Sequence, residues 1–233
     1  MIPGRAELEQ MYAYPSTQRP WIRTNFVSTV DGAAYAGDGK SGSLGGPADK
    51  QVFALLRSLA DVIVVGAGTA RTEGYQPVRP DEIDSELRSR LGLSAVPPIA
   101  AVSRRLDIPD ALATNGQIVI TTADAPVAAR EALASDVDVI AVGEGEIDWI
   151  AVLDELAERG LRRVLCEGGP SLHGELVALD LVDEVCLTIA PLMSSGAAPR
   201  IAHSAAFVEH AMELGHAFDA DGVLLTRWVR SRS

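Results

Sequence analysis

The stretch VLCEGGPSLHGEL, residues 164–176, changes character twice. Val164, Leu165 and Cys166 are apolar without alternation, the pattern of a strand covered on both faces. Pro170 then opens a run with helical character, and proline suits a first helical turn because its missing amide would have no partner there. Between them stand a carboxylate and two glycines, Glu167, Gly168 and Gly169. A core strand that turns directly into a helix is half of a β-α-β unit. In open sheets of that kind, ligands bind beyond the carboxyl ends of the strands.

Outward from this stretch the same alternation recurs. Strands are predicted over 21–29, 61–66, 97–103, 117–122, 138–143, 162–167 and 183–191. Helices are predicted over 47–60, 126–134, 148–160 and 170–179, with one solvated helix from Pro80 to a stop at Gly92. In the first of these helices Val52, Leu55, Leu56 and Leu59 fall at the spacing of a single face. The last segment, GHAFDADGVLLTRWV, reads as an antiparallel hairpin turning at Asp221-Gly222. The fold class is therefore α/β, a mixed and mainly parallel sheet flanked by helices, with an antiparallel C-terminal hairpin. No long Pro/Ser/Gly linker divides the 233 residues, so residues 1–233 are expected to form one domain.

Composition narrows the function. Apolar residues make up 47% of the chain, enough for a substantial core, and the formal net charge is -12. A phosphate backbone needs a basic face, so nucleic acid is not an expected partner. The N-terminus MIPGRAELEQ lacks the apolar core of a signal peptide, and no run has the length of a membrane span. No membrane partner and a cytoplasmic location are expected. Cys166 and Cys186 both lie in apolar runs and read as reduced core residues. His173, His203, His210 and His216 show no ligand spacing, and no metal is expected.

Four strand ends carry unusual residues. Residues 27–46 hold six glycines and several hydroxyls, which suits close approach of backbone to a ligand and equally suits a mobile surface loop. At Gly66-Ala67-Gly68-Thr69 a strand meets a helix start, as in a phosphate-cradling turn, although Arg71 stands where a third glycine would be. Ser103, Arg104 and Arg105 follow another strand and could bind a phosphate monoester such as the 2′-phosphate of NADP; a solvated basic pair would look the same. Gly168-Gly169-Pro170 forms a second anion turn of the same design. Glu167 needs a hydrogen-bond partner or a cavity, because a bare carboxylate at a core exit is costly. Asp31, Asp38 and Glu73 are possible acid–base groups, or turn and cap residues. Ser41, Ser43 and Ser171 sit in no recognisable nucleophile motif, so serine hydrolase chemistry is not expected.

Taken in order, NFVSTVDGAA, SGSLGGPADKQVFALLRSLADVIVVGAGTARTEGY, PPIAAVSRRL, VLCEGGPSLHGELV and LVDEVCLTIAPLMSSG resemble the reductase domain of the bacterial riboflavin-biosynthesis deaminase-reductases. The likeness is strongest to stand-alone pyrimidine reductase versions, some of which act as dihydrofolate reductase analogues, and it runs from about residue 20 to about 230. It implies a dihydrofolate reductase-like fold, a homodimer, and use of NADPH. The implied reaction reduces the ribosyl group of 5-amino-6-(5-phosphoribosylamino)uracil to ribityl. By position, the resemblance places Val27, Ser43, Thr69, Glu73, Ser103 and residues 169–175 on the cofactor. That range includes Gly169, Pro170, Ser171 and Leu172, and the turn glycines Gly66, Gly68 and Gly168 and Arg104 join them from the residue reading. It places Ser41, Arg57, Arg79 and Glu167 on the substrate, with Arg57 facing its phosphate.

The chain departs from the family in three places. It has no H-x-E with P-C-x-x-C, so deamination is not expected of it. Glu73-Gly74-Tyr75 stands where Asp-Asn-Pro is common, and Ser43 or Leu44 replaces a tryptophan. Glu73 is the expected catalytic acid, with Asp31 as the second candidate. The rival readings are a dihydrofolate or pterin reductase on the same scaffold, and a non-catalytic NADP(H)-binding protein.

Overall fold

The computed structural model describes residues 2–232. Nine strands form one sheet: β1 (Trp21–Thr29), β2 (Val62–Gly66), β3 (Ile99–Val102), β4 (Ile118–Thr121), β5 (Asp138–Ala141), β6 (Arg163–Cys166), β7 (Glu184–Ala190), β8 (Met212–Ala220) and β9 (Val223–Arg230). Their spatial order is β5-β4-β3-β2-β6-β1-β7-β9-β8. Every pair from β5 to β7 is parallel, while β7-β9 and β9-β8 are antiparallel. The mixed sheet and its closing hairpin match the expectation. Asp221 and Gly222 both have positive φ at the hairpin turn, the conformation a tight two-residue turn requires.

The helices are α1 (Arg5–Met11), α2 (Pro47–Leu59), α3 (Ala67–Glu73), α4 (Ser85–Arg90), α5 (Val127–Ala134), α6 (Trp149–Glu158) and α7 (Pro170–Ala178). The continuous apolar runs are buried on both faces, as their lack of alternation implied. In β2, Ile63 and Val65 pack with α1 and α2, while Val62 and Val64 pack with α6 and α7. One expectation needs correction. The segment after Pro80 is not one solvated helix but a 3-10 turn (Pro80–Glu82) followed by α4. Asp84 divides them, because its side chain accepts the Leu87 amide and starts a new helix there. α4 is solvated on one side only: Ser85, Glu86, Ser89 and Arg90 are exposed, while Leu87 and Arg88 are buried, and Arg88 donates to the carbonyls of Arg57, Ser58 and Ala60 at the end of α2.

A buried charge cluster joins the parallel part of the sheet to the hairpin. Glu184 at the start of β7 is fully buried and accepts from Arg23 Nε on β1 (2.6 Å) and from Arg227 Nε and Nη2 on β9 (2.8 and 2.9 Å). Trp21 Nε1 donates to the same carboxylate at 3.2 Å. The Arg23 guanidinium lies over the Tyr14 ring, 3.9 Å from its centroid. Burial works against ionisation of Glu184, but the two guanidiniums prevail and hold its carboxyl below the ordinary range.

Removing one partner of such a group strands the others in low dielectric. Glu184→Gln is expected to lower unfolding free energy by about 3–5 kcal/mol in urea titrations at neutral pH. The folded carboxyl titrates below its unfolded value, so this stabilisation is present above the unfolded value and is lost as pH falls through the folded one. The gap between the original and variant proteins should therefore narrow in acid.

Candidate active site

Strand order brings the two glycine turns side by side. β2 and β6 are neighbours although about a hundred residues separate them, so Gly66 at the end of β2 meets the turn after β6. The Gly66 amide donates to the Gly168 carbonyl at 2.7 Å, and the Glu167 amide donates to the Val64 carbonyl at 2.9 Å. Gly168 has a φ of 88°, and a Cβ there would lie 2.8 Å from the Phe26 ring. That ring stacks on His173 of α7, with centroids 4.5 Å apart. Burial pushes the His173 imidazole down to about 4, so it is neutral at pH 7 and packs as an aromatic.

Two cavities open above these turns. The smaller, about 330 Å³, is walled by Gly66, Gly68 and Thr69 from the first turn and by Gly169, Pro170, Ser171 and Leu172 from the second. The larger, about 530 Å³, reaches from Val27 on β1 past Ser41 and Glu73 to Arg57, Arg79 and Glu167. Thr69, Glu73, Gly169, Pro170 and Tyr35 belong to both walls, so the cavities meet at a neck.

Glu167 has the partners its position demands. Arg57 grips it in a fork, Nε to Oε1 at 2.8 Å and Nη2 to Oε2 at 2.7 Å, and the Tyr75 hydroxyl donates to Oε2 at 2.6 Å. The Arg57 guanidinium also lies over the Phe53 ring, 4.3 Å from its centroid. Arg57 is thus not the free cation expected for a substrate phosphate, because one edge of its fork is committed to Glu167. Arg79, at the mouth of the larger cavity, is exposed and paired with Asp81 and Glu82. Glu73, the last residue of α3, accepts from the Ser41 amide (2.8 Å) and hydroxyl (3.0 Å) through one oxygen, and so ties the glycine loop to the neck.

Several expected residues lie outside both walls. Asp31 accepts from the Thr29 hydroxyl (2.6 Å) and the Ser194 amide (2.9 Å). Those bonds hold its carboxyl below the ordinary range, and it serves as a tether for the loop after β7. Leu44 turns inward to pack with Val27 and Ala190, which sends Ser43 outward against Asp38. Ser103 accepts the Asp107 amide at 3.2 Å, and Arg104 is exposed and paired with Glu146. Gly168 lends only backbone, behind the cavities. Among the described residues no cluster of three or more His, Cys, Asp or Glu could hold a metal ion, and no helix is long and apolar enough to cross a membrane.

Two wall residues had no signal in the sequence. Asp49 sits in the first turn of α2, where an acid ordinarily serves the helix dipole. Here it faces the larger cavity and takes a hydrogen bond from Thr188 of β7; burial raises its carboxyl above the ordinary range, only partly offset by that bond. Gly45 makes room for it, since a Cβ there would overlap the Asp49 carboxylate. Tyr35 belongs to the glycine loop, whose composition gave no reason to single it out.

The family model for the RibD C-terminal domain matches residues 20–225. The chain belongs to the RibD C-terminal domain family. Among curated relatives, the 2,5-diamino-6-ribosylamino-4(3H)-pyrimidinone 5′-phosphate reductase of Archaeoglobus fulgidus is 27% identical over 183 residues, 76% of this chain and 83% of that protein. Its namesake in Aquifex aeolicus is 29% identical over 189 residues, 77% of this chain and 80% of that one. Among solved structures, a pyrimidine reductase-like protein from Corynebacterium diphtheriae superposes with a TM-score of 0.80 at 26% identity, covering 97% of this chain and 99% of that one. The family signal thus spans every element that builds the two cavities in this RibD C-terminal domain.

The turn after β6 leaves no room for a side chain. Gly168→Ala meets both a positive φ and a Phe26 ring held by His173, and is expected to cost about 2–4 kcal/mol in urea titrations. Gly74→Ala, also at positive φ but facing open space, should cost only about 1–2 kcal/mol.

Proposed function

We propose that this RibD C-terminal domain is an NADPH-dependent oxidoreductase of the riboflavin-biosynthesis type, acting as one domain on a ribosylaminopyrimidine 5′-phosphate and reducing its ribosyl group to ribityl. The observation that carries the reading is the pair of cavities joined at a neck over two glycine turns. One has the character of a phosphate site and the other is ringed by carboxylates. A cytoplasmic homodimer belongs to the same reading, and the open edge of β8 with its exposed Leu214 is compatible with pairing between copies.

The residues of the smaller cavity fit a dinucleotide. A Cβ at Gly169 would overlap the Thr69 hydroxyl, so the glycine keeps the approach to α7 clear. The first-turn amides of Ser171 and Leu172 have no partner within the helix and point where a pyrophosphate would lie. Gly66, Gly68 and Thr69 would complete the cradle from the α3 side. A reduced nicotinamide bound across the neck would supply hydride to the carbon that joins sugar to pyrimidine nitrogen.

The chain's own side chains must bind, orient and protonate. Lys50 and Arg79 at the wall of the larger cavity are the cations available to a 5′-phosphate: the pairs of Arg79 with Asp81 and Glu82 are exposed and exchangeable, whereas Arg57 is held by the buried Glu167. Glu73 and Ser41 fix the geometry of the neck. Asp49 is the carboxyl suited to hold a proton, because burial favours its neutral form. It displaces Asp31, which is spent on the loop after β7, and takes precedence over Glu73 as acid. A cavity-facing carboxyl also suits the amidine edge of a 2-amino-4-oxo ring, as in the pyrimidinone named for the relatives, over the 2-oxo edge of a uracil. A dihydropterin presents that same edge, which keeps dihydrofolate as a second substrate to be tested.

The reading is tested by following loss of reduced cofactor with the diaminopyrimidinone, the aminouracil and dihydrofolate in parallel. Turnover of a ribosylaminopyrimidine above dihydrofolate is expected. Preference for dihydrofolate would shift the activity to a pterin reductase, and cofactor binding without any turnover would make the protein a non-catalytic binder. Asp49→Asn is expected to lower kcat by about 100-fold or more. With the protonated acid as the active form, kcat should fall as pH rises through the raised Asp49 value, and Asp49→Asn should abolish that limb.

A further inference from the structure

The neck between the cavities has a chemical character of its own. Its wall carries three polar side chains, the hydroxyls of Tyr35 and Thr69 and the carboxylate of Glu73, and no cation. Both Ser41 donors go to one Glu73 oxygen, which leaves the other oxygen as an acceptor for a ligand. An anionic group would be repelled at this point. A neutral group with paired hydroxyls would be matched, since it can donate to Glu73 while exchanging hydrogen bonds with the two hydroxyls.

Tyr35 is built into this position. Its loop is pinned on either side: the Ala34 amide donates to the Pro199 carbonyl and the Ala36 amide to the Lys40 carbonyl, both at 2.9 Å. Ala33 and Ala34 are buried, so the chain reaches the neck as a fixed support rather than a free tip. The Tyr35 hydroxyl lies beside Thr69, 3.5 Å from the point where a Cβ of Gly169 would stand. Burial and the neighbouring Glu73 charge keep the phenol protonated, so it remains a donor at physiological pH.

We infer that Tyr35, with Thr69 and Glu73, forms a subsite for the vicinal diol of a ribosyl group at the neck, and that Tyr35 is a ligand-contacting residue of this protein. The inference rests on the proposed reductase function. Two ribosyl groups meet the chemistry, that of the nicotinamide nucleoside in the cofactor and that of the substrate. The first is the one a dinucleotide spanning both cavities would place there.

The test compares Tyr35→Phe, which keeps the ring and removes the hydroxyl, with the unaltered protein. NADPH and adenosine 2′,5′-bisphosphate are each titrated, and the KM for the ribosylaminopyrimidine phosphate is measured at saturating cofactor. A rise in NADPH Kd of about threefold to tenfold, with unchanged affinity for the bisphosphate, assigns the subsite to the cofactor's diol. The same rise confined to the KM for the pyrimidine assigns it to the substrate. Thr69→Val should move the same constant in the same direction. Less than a twofold change in both constants for Tyr35→Phe would overturn the subsite, even if the unaltered protein turns over normally. Failure of the unaltered protein to bind NADPH would instead remove the reductase reading, and the subsite with it.

Discussion

A carboxylate leaves the core at Glu167, and the site is arranged around its neutralisation. The charge cannot stay bare beside Cys166 and Val64, so Arg57 reaches it from α2 with a two-bond fork and Tyr75 adds a third donor from beyond α3. One ion pair thereby fixes the distance between a helix on one face of the sheet and the turn after a central strand. Arg88 holds the end of α2 by its carbonyls, and so steadies the helix that carries Arg57. The larger cavity is the space this arrangement leaves open.

The second constraint is steric and lies in the backbone. β2 and β6 end side by side, and the Gly66 amide meets the Gly168 carbonyl directly. Phe26, stacked on His173, closes the space behind Gly168, and Thr69 closes the space beside Gly169. Side chains on these glycines would fill the volume that separates a ligand from the start of α7. Two turns, distant in the sequence and adjacent in the sheet, therefore act as one surface. The glycine loop folds over it through Glu73–Ser41 on one side and Asp31–Ser194 on the other.

Much of this was legible in the sequence because it depends on local pattern. Unbroken apolar runs at β2 and β6 gave strands covered on both faces, Asp221-Gly222 gave the hairpin, and glycine pairs at strand ends gave the turns. What escaped depends on partners far along the chain. Arg57 reads as a free cation until Glu167 is found within reach. Asp49 reads as an ordinary first-turn acid until Thr188 and Gly45 are seen to place it in a cavity. Tyr35 is one residue of a glycine-rich loop until that loop is pinned to residue 199. Asp31 and Ser43 erred in the opposite sense, since they sit in a suggestive stretch whose turns direct them away from the cavities.

In the proposed function the two cavities are halves of one binding cleft, with phosphates at the start of α7 and the reacting ring in the larger cavity. The most direct measurement is a crystal structure of the protein with NADPH and the diaminopyrimidinone phosphate. The expected result is the cofactor pyrophosphate within hydrogen-bond distance of the Ser171 and Leu172 amides, with the nicotinamide past the neck on the side of Asp49 and Glu73. A dinucleotide bound away from the β2 and β6 turns, or a nicotinamide remote from the larger cavity, would contradict it.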